Sequence, residues 1–362
     1  MSGLGRINLF VGTNNCGKTS VLEAINILVS QGRPEALWSA LKNRGEDWFI
    51  DNSRILRRDR ELDVCHLFNG HELDLGSTFE ISGTRNHQKA KVSAEIVERD
   101  PNEDMAFPEE NMSSRQTSLF DTGEDEREAG GDRGLALRLA WDGEPSYIQQ
   151  FPLSLNGGVF ANTRYRKPDN VPPSRLITTE AINGADVVSL FESIVLTPEE
   201  EIVIDTLKSI EPTIERIASI SAFRRFSRFD RGGLVVKLRD HPKRIPIGSM
   251  GDGIWRLLGI ALALVEVRGG TLLIDEIDTG LHYSVMQDMW RLVLTTSERL
   301  NVQVFATTHS RDCFESLSAI SRSDVEAESR VSIQRIERGK NKAVAFSEQE
   351  IVIAAERSIE VR

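Results

Sequence analysis

Cysteine is scarce in this 362-residue chain: Cys16, Cys65 and Cys313 are the only three, and no two of them pair as C-x-x-C. That excludes a disulfide framework, argues against a zinc knuckle and fits a reducing compartment. Long apolar runs are missing too. None reaches the roughly 18 residues that a membrane-spanning helix needs. The six residues Met1 to Arg6 run almost directly into an apolar strand, which leaves no length for a signal peptide. The expected location is cytoplasmic, with no membrane attachment. Basic residues are in the minority, with 44 Lys and Arg against 55 Asp and Glu and a net charge of −11.

The negative charge is not spread evenly. Residues 98–133 hold twelve Asp or Glu against four Arg, a net of −8, so the rest of the chain is close to neutral. That segment carries Pro101, Pro108, Glu124-Asp125-Glu126 and Gly130-Gly131 and shows neither the helical nor the strand period. It reads as a flexible acidic insertion. Its charge says little about the folded body, and nucleic acid stays among the candidate partners.

The densest chemistry lies near the start. Ile7-Asn8-Leu9-Phe10-Val11 has the composition of a buried strand, and Lys18 to Leu28 carries apolar residues at helical spacing. Between them Gly12-Thr13-Asn14-Asn15-Cys16-Gly17-Lys18-Thr19 matches G-x-x-x-x-G-K-[ST] in the strand-turn-helix context that gives this motif its meaning. Gly12 and Gly17 let backbone N–H groups turn inward, and the helix start aims its positive end at the same place. The pattern predicts a triphosphate there, with Lys18 on the β- and γ-phosphates, Thr19 on Mg²⁺, and Asn14, Asn15 and Ser20 completing the loop. Cys16 is read as a small filler.

Beyond this loop, the stretches Leu62 to Phe68, Ser77 to Gly83, Ala90 to Val97 and Leu135 to Trp141 have strand character, with turn dipeptides at Asn69-Gly70 and Asp142-Gly143. A small inserted antiparallel sheet is expected. Gly184 to Ile194 and Thr197 to Ile220 read as helices, the second broken or kinked by Pro212.

Ile245 to Gly253 is rich in glycine and leads into an apolar helix from Ile254 to Val267, so Ser249 and Gly251 stand at a helix start suited to an anion. Thr271 to Ile274 is an apolar strand ending in Asp275-Glu276. Asp275 is placed to hold Mg²⁺ through water, and Glu276 to orient and deprotonate an attacking water. A further strand, Val302 to Ala306, ends in Thr307-Thr308-His309-Ser310. There His309 is placed to hydrogen-bond a γ-phosphate and report its presence.

In this order the loop, insertion, Gly/Ser signature, acid pair and histidine resemble ABC-type ATPase heads such as those of SMC and RecF, and more closely the OLD-like ATPases of bacterial anti-phage systems. The pieces that carry the resemblance are Arg6 to Leu9, Asn14 to Ile25, Met250 to Gly253, Asp275 to His282 and Thr307 to Ser310. It implies an α/β P-loop NTPase fold of ABC head type, with a mainly parallel core sheet, an inserted antiparallel sheet and a helical lobe. Residues 1–45 and 241–362 would form the ATPase core, 46–175 the inserted β-rich part and 176–240 the helical lobe. It implies an ATP-hydrolysing homodimer, or a higher homo-oligomer built on it, that sandwiches two ATP molecules, Ser249 and Gly251 acting on the nucleotide of the other protomer. Asp278 is either an aspartate of the dimer seam or an N-cap for the following helix.

The signature here is Gly-Ser-Met-Gly-Asp, and Gln149 and Gln150 are candidates for a glutamine loop by sequence order alone. The Toprim nuclease of OLD relatives has no counterpart in the fifty or so residues after His309. A separately encoded effector is therefore expected in prokaryotic defence. The alternatives are a RecF-like DNA repair ATPase, a transporter ATPase, against which the long insertion speaks, and a switch that binds ATP without hydrolysing it. Arg54 to Arg60 and Phe223 to Phe229 are basic clusters that would either touch nucleic acid or form a solvated helix face and an amphipathic hairpin.

Overall fold

The computed structural model describes residues 1–50, 59–85, 88–99, 107–108, 134–154, 156–161, 163–165, 170–178, 184–208, 210–220, 233–321, 330–346 and 350. Both basic clusters, nearly all of the acidic insertion and the C-terminal tail lie outside the described residues, apart from a few positions at their edges. The chain divides into two units, residues 1–22 with 172–362, and residues 23–171.

The first unit is built on a six-stranded sheet. Its strands are β1 (Ile7–Val11), β2 (Ser174–Ile177), β6 (Thr271–Ile274), β7 (Gln303–Thr307), β8 (Val331–Arg335) and β9 (Val344–Phe346). Three others, β3 (Ile214–Ser219), β4 (Leu234–Leu238) and β5 (Ile245–Pro246), form a separate antiparallel sheet. The large sheet runs β2-β6-β7-β1-β8-β9, parallel throughout except for the last pair. A parallel strand is covered on both faces, which is why β1 and β6 are apolar runs with every residue buried. The polar exception in β1 is Asn8. Its amide donates to the carbonyls of Gly5 and Val304, and its oxygen accepts from Gly5 N and the Ser332 hydroxyl, so all its polar capacity is used.

Beside the helix Pro34–Asn43 of the second unit, the helices among the described residues are α1 (Lys18–Val29), α2 (Gly184–Ile194), α3 (Pro198–Lys208), α4 (Asp252–Glu266), α5 (Met286–Leu300) and α6 (Arg311–Ser321). Helix α4 is buried at every position from Ile254 to Val265, as befits a helix apolar on nearly all sides. Each of its leucines and isoleucines contributes about 1.5–3 kcal/mol by burial. Helix α5 stops at Asn301, whose left-handed backbone (φ 54°) turns the chain into β7.

One expectation fails here. The helix read from Thr197 to Ile220 ends at Lys208, and residues 214–219 are strand β3. Ile214 and Ile217 are both buried, three apart as on a helix, because a register shift between Ile214 and Arg216 inserts an extra residue into the strand. A bulged strand thus imitates helical spacing.

The second unit contains a four-stranded antiparallel meander of Thr78–Arg85, Gln88–Glu98, Leu135–Asp142 and Tyr147–Pro152. It also holds a three-stranded sheet of Asp47–Ile50, Asp59–Asp63 and Gly158–Phe160, and its core includes Leu37, Leu62, Ile96, Leu137 and Phe151. Asp142-Gly143 does open a hairpin turn. The strand expected from Leu62 to Phe68 stops at Asp63 and gives way to a 3₁₀ turn, Cys65–Leu67. Gln149 and Gln150 are both buried in the meander. Among the described residues no helix is long and apolar enough to cross a membrane.

Candidate functional site

The carboxyl ends of three neighbouring parallel strands, β6, β7 and β1, open on one edge of the sheet, the place where open α/β sheets bind their ligands. Each end carries one of the motifs.

After β1 the chain turns sharply at Gly12 (φ 151°), where a Cβ would lie 2.4 Å from the Ile336 carbonyl oxygen and 2.8 Å from Cys16 Sγ. Only glycine fits. Asn15 and Gly17 also have positive φ, 60° and 99°, so the loop turns back on itself before α1 starts at Lys18. Thr13, Asn14 and Asn15 are exposed along the loop, as are Thr19 and Ser20 in the first turn of α1. Lys18 is 9% exposed and bends back over the loop, donating to the carbonyls of Gly12 at 3.0 Å and Thr13 at 2.9 Å.

At the end of β6 the Asp275 carboxylate is 8% exposed and held on both sides. Its Oδ2 accepts from the Thr19 hydroxyl at 2.9 Å and its Oδ1 from the Thr307 hydroxyl at 2.5 Å. Glu276 follows with a left-handed backbone, φ 46°, a costly conformation for a non-glycine residue. Its N–H donates to the Thr307 hydroxyl at 2.8 Å. Its side chain accepts from the Thr279 hydroxyl at 3.2 Å and lies 3.5 Å from Nδ1 of His309, itself exposed at the end of β7. The structure thus brings Thr19, Asp275, Glu276 and His309 together by direct contacts, with Lys18 in the same turn as Thr19.

Asp278 is not an N-cap. It accepts from the Thr308 hydroxyl at 2.6 Å, and Thr308 in turn accepts from Ser310 N. The cap of the turn that follows is His282, which accepts from Ser284 N. Ser249 stands exposed in a 3₁₀ turn, Ile247–Met250, and Gly251, also exposed with φ 98°, is the N-cap of α4.

Two contributors escape a reading of the sequence. Thr307 is fully buried and joins Asp275 to the Glu276 backbone, a link between neighbouring strands that no linear motif displays. Arg256, one turn into α4, is 6% exposed and donates to the carbonyls of Asp275 and Glu276, each at 3.3 Å, and of Thr178 at 3.4 Å. Burial pushes its guanidinium down from its ordinary range, while the carboxylates of Asp278, Asp275 and Glu276 act in the opposite direction. A lone arginine in an otherwise apolar helix was the available signal.

Chemically, the site pairs a hydroxyl and a carboxylate as hard oxygen donors beside a glycine-bearing loop, a lysine, and a second carboxylate near an imidazole. A protein of Helicobacter pylori described as an ATP/GTP phosphatase is 22% identical over 343 residues, spanning 89% of this chain and 84% of that protein. Among solved structures, an SMC head bound to the C-winged helix domain of ScpA overlays with a TM-score of 0.43 at 13% identity, covering 96% of this chain and 91% of that one. The SMC head domain from Thermotoga maritima overlays with a TM-score of 0.39 at 13% identity, covering 96% and 90%. The family model described as "AAA domain, putative AbiEii toxin, Type IV TA system" matches residues 7–312, from the first residue of β1 into α6, and the chain belongs to that family of AAA-domain ATPases.

Proposed function

We propose that the chain is an ATP-gated head: ATP and Mg²⁺ bind at the carboxyl edge of β1, β6 and β7, two copies close over the nucleotides, and hydrolysis reopens them. The observation that carries this reading is the direct contact of Thr19 with Asp275 and the approach of His309 to Glu276 at that edge.

Thr19 and Asp275 suit Mg²⁺, since both offer hard oxygen atoms and already point at one another 2.9 Å apart. When bound there, Mg²⁺ supplies charge neutralisation on the phosphate oxygens. Lys18 would exchange its two loop carbonyls for the β- and γ-phosphates, while loop N–H groups from Asn14 to Ser20 hold the remaining oxygens. Glu276 would take the proton of the attacking water, and His309 would steady its carboxylate and sense the γ-phosphate. The strained Glu276 backbone, fixed by Thr307 and Arg256, supports a carboxylate held in one orientation.

Exposure of Ser249 and Gly251 at the start of α4 supports a role toward a second copy, where they would cap the γ-phosphate in trans, with Asp278 near the seam. The reading continues with a separately encoded effector that the dimer switches. The family description names a toxin of a toxin–antitoxin system, which fits service in prokaryotic anti-phage defence.

Phosphate release from Mg-ATP tests the catalytic part. The wild-type chain should turn over, Lys18→Ala should lose nucleotide binding, and Glu276→Gln should bind ATP but turn over about 10²–10⁴-fold more slowly. Wild-type turnover in Glu276→Gln would remove the base from the scheme.

A further inference from the structure

Outside this site, the connection between strands Asp59–Asp63 and Thr78–Arg85 gathers four side chains that suit metal coordination: Asp63, Cys65, His66 and His71. Asp63 Oδ1 accepts from Cys65 N at 2.9 Å, which folds the chain into the 3₁₀ turn Cys65–Leu67 and brings residues 63, 65 and 66 to one side. One ligand atom from each of Asp63, Cys65 and His66 lies within 4.8 Å of the others.

The two histidines give an independent observation. Nδ1 of His66 and Nδ1 of His71 are 3.0 Å apart, with ring centroids at 4.8 Å. His71 reaches this position with a left-handed backbone, φ 60°. A contact of that length between ring nitrogens needs one proton between them. If His66 Nδ1–H donates, its Nε2 is left as a lone pair. That Nε2 lies 3.8 Å from Asp63 Oδ2, so a lone pair, a carboxylate and a thiol face the same small space. In the opposite tautomer Nε2–H faces solvent, 3.8 Å from Asp63 Oδ2. A cation among the three groups would take the Nε2 lone pair, the Asp63 carboxylate and the Cys65 sulfur at once.

We propose that this turn binds one transition-metal ion of the zinc class, ligated by Asp63, Cys65 Sγ and His66 Nε2, with His71 accepting from His66 Nδ1–H to fix the ring. The mixture of sulfur, nitrogen and oxygen selects zinc-like ions over Mg²⁺. Metal bonds of about 2.0–2.3 Å set tetrahedral ligand atoms roughly 3.3–3.8 Å apart. A contraction of about 1 Å from the present outer limit completes the set, with a fourth position open to solvent. Cys65 releases its thiol proton to solvent on binding. His71 supplies the hydrogen bond that orients a ligating imidazole, as outer partners commonly do. Cys65 and Asp63 are half-buried and His66 is exposed, so an ion has a path in. The bound ion would pin the connection that leads into the meander.

The test is titration of the untagged, chelator-treated full chain with Co²⁺, without nucleotide, followed by absorption spectroscopy. The expected result is a thiolate-to-cobalt charge-transfer band with four-coordinate d–d bands, saturating at one equivalent and displaced by Zn²⁺ but not by Mg²⁺. Cys65→Ser should abolish the charge-transfer band. His71→Asn, which tolerates the same left-handed backbone, should keep the band and weaken binding about 10–100-fold. Absence of the band in the wild-type chain, or an unchanged band in Cys65→Ser, would overturn the assignment.

Discussion

The Thr307 hydroxyl donates to Oδ1 of Asp275 at 2.5 Å while accepting from the backbone N–H of Glu276, so one buried side chain sets both members of the acid pair. Thr307→Val keeps the shape and removes both bonds. Leaving a buried N–H unsatisfied costs about 1–3 kcal/mol, and a carboxylate oxygen more. The expected outcome is a lower melting temperature together with a fall in kcat larger than any rise in KM for Mg-ATP. Wild-type kcat in a correctly folded variant would separate Thr307 from the alignment of Glu276.

Arg256 is the cation behind the acid pair, bound to backbone carbonyls and not to a carboxylate. Lysine keeps the charge but lacks the planar fork that reaches three carbonyls at once. Arg256→Lys should therefore fold, with a modest loss of stability, and lose kcat by at least about tenfold, the size expected when an orienting contact is disturbed. Steady-state kinetics beside thermal unfolding would separate the two effects.

Gly12 and Gly251 are both at positive φ, and their alanine variants should behave differently. At Gly12 the new Cβ meets the Ile336 carbonyl oxygen at 2.4 Å, so Gly12→Ala should distort the loop and abolish nucleotide binding. At Gly251 nothing lies within 4 Å of the new Cβ, and the cost is backbone strain alone, about 1–3 kcal/mol for a φ 98°, ψ 165° conformation that glycine almost alone adopts. Gly251→Ala should keep nucleotide binding in the monomer and lose ATP-dependent association. Equilibrium binding of a fluorescent ATP analogue reads the first property, and sedimentation velocity the second.

His309 is 47% exposed at its side chain and its approach to Glu276 is 3.5 Å. An exposed contact of this kind adds little to stability. His309→Ala should change the melting temperature hardly at all while slowing turnover about 10–100-fold. A large thermal shift would mean that the histidine is structural.

Much of this site was legible because its parts are short motifs at the junctions of regular elements. A glycine-lysine loop between an apolar strand and a helix, or two acids closing a four-residue apolar strand, can be recognised without knowing what lies beside them. Thr307 and Arg256 could not be assigned, since the partners of Thr307 are 31 and 32 residues away and those of Arg256 19, 20 and 78, reached only through sheet order and helix packing. Of the two readings of Asp278, the N-cap falls away, because its partner Thr308 lies 30 residues on and His282 caps the following turn. In the fold, the bulge in β3 concealed a strand behind helical spacing, and the turn at Cys65–Leu67 cut short a run that reads as strand.

In the proposed head, ATP at this edge draws two copies together. This association is tested most directly by the solution mass of Glu276→Gln, measured by light scattering with and without Mg-ATP. Removing the base while keeping Lys18, Thr19 and Asp275 should trap the closed state, giving a monomer without nucleotide and a dimer with it. A mass that does not respond to Mg-ATP would contradict the ATP-gated dimer.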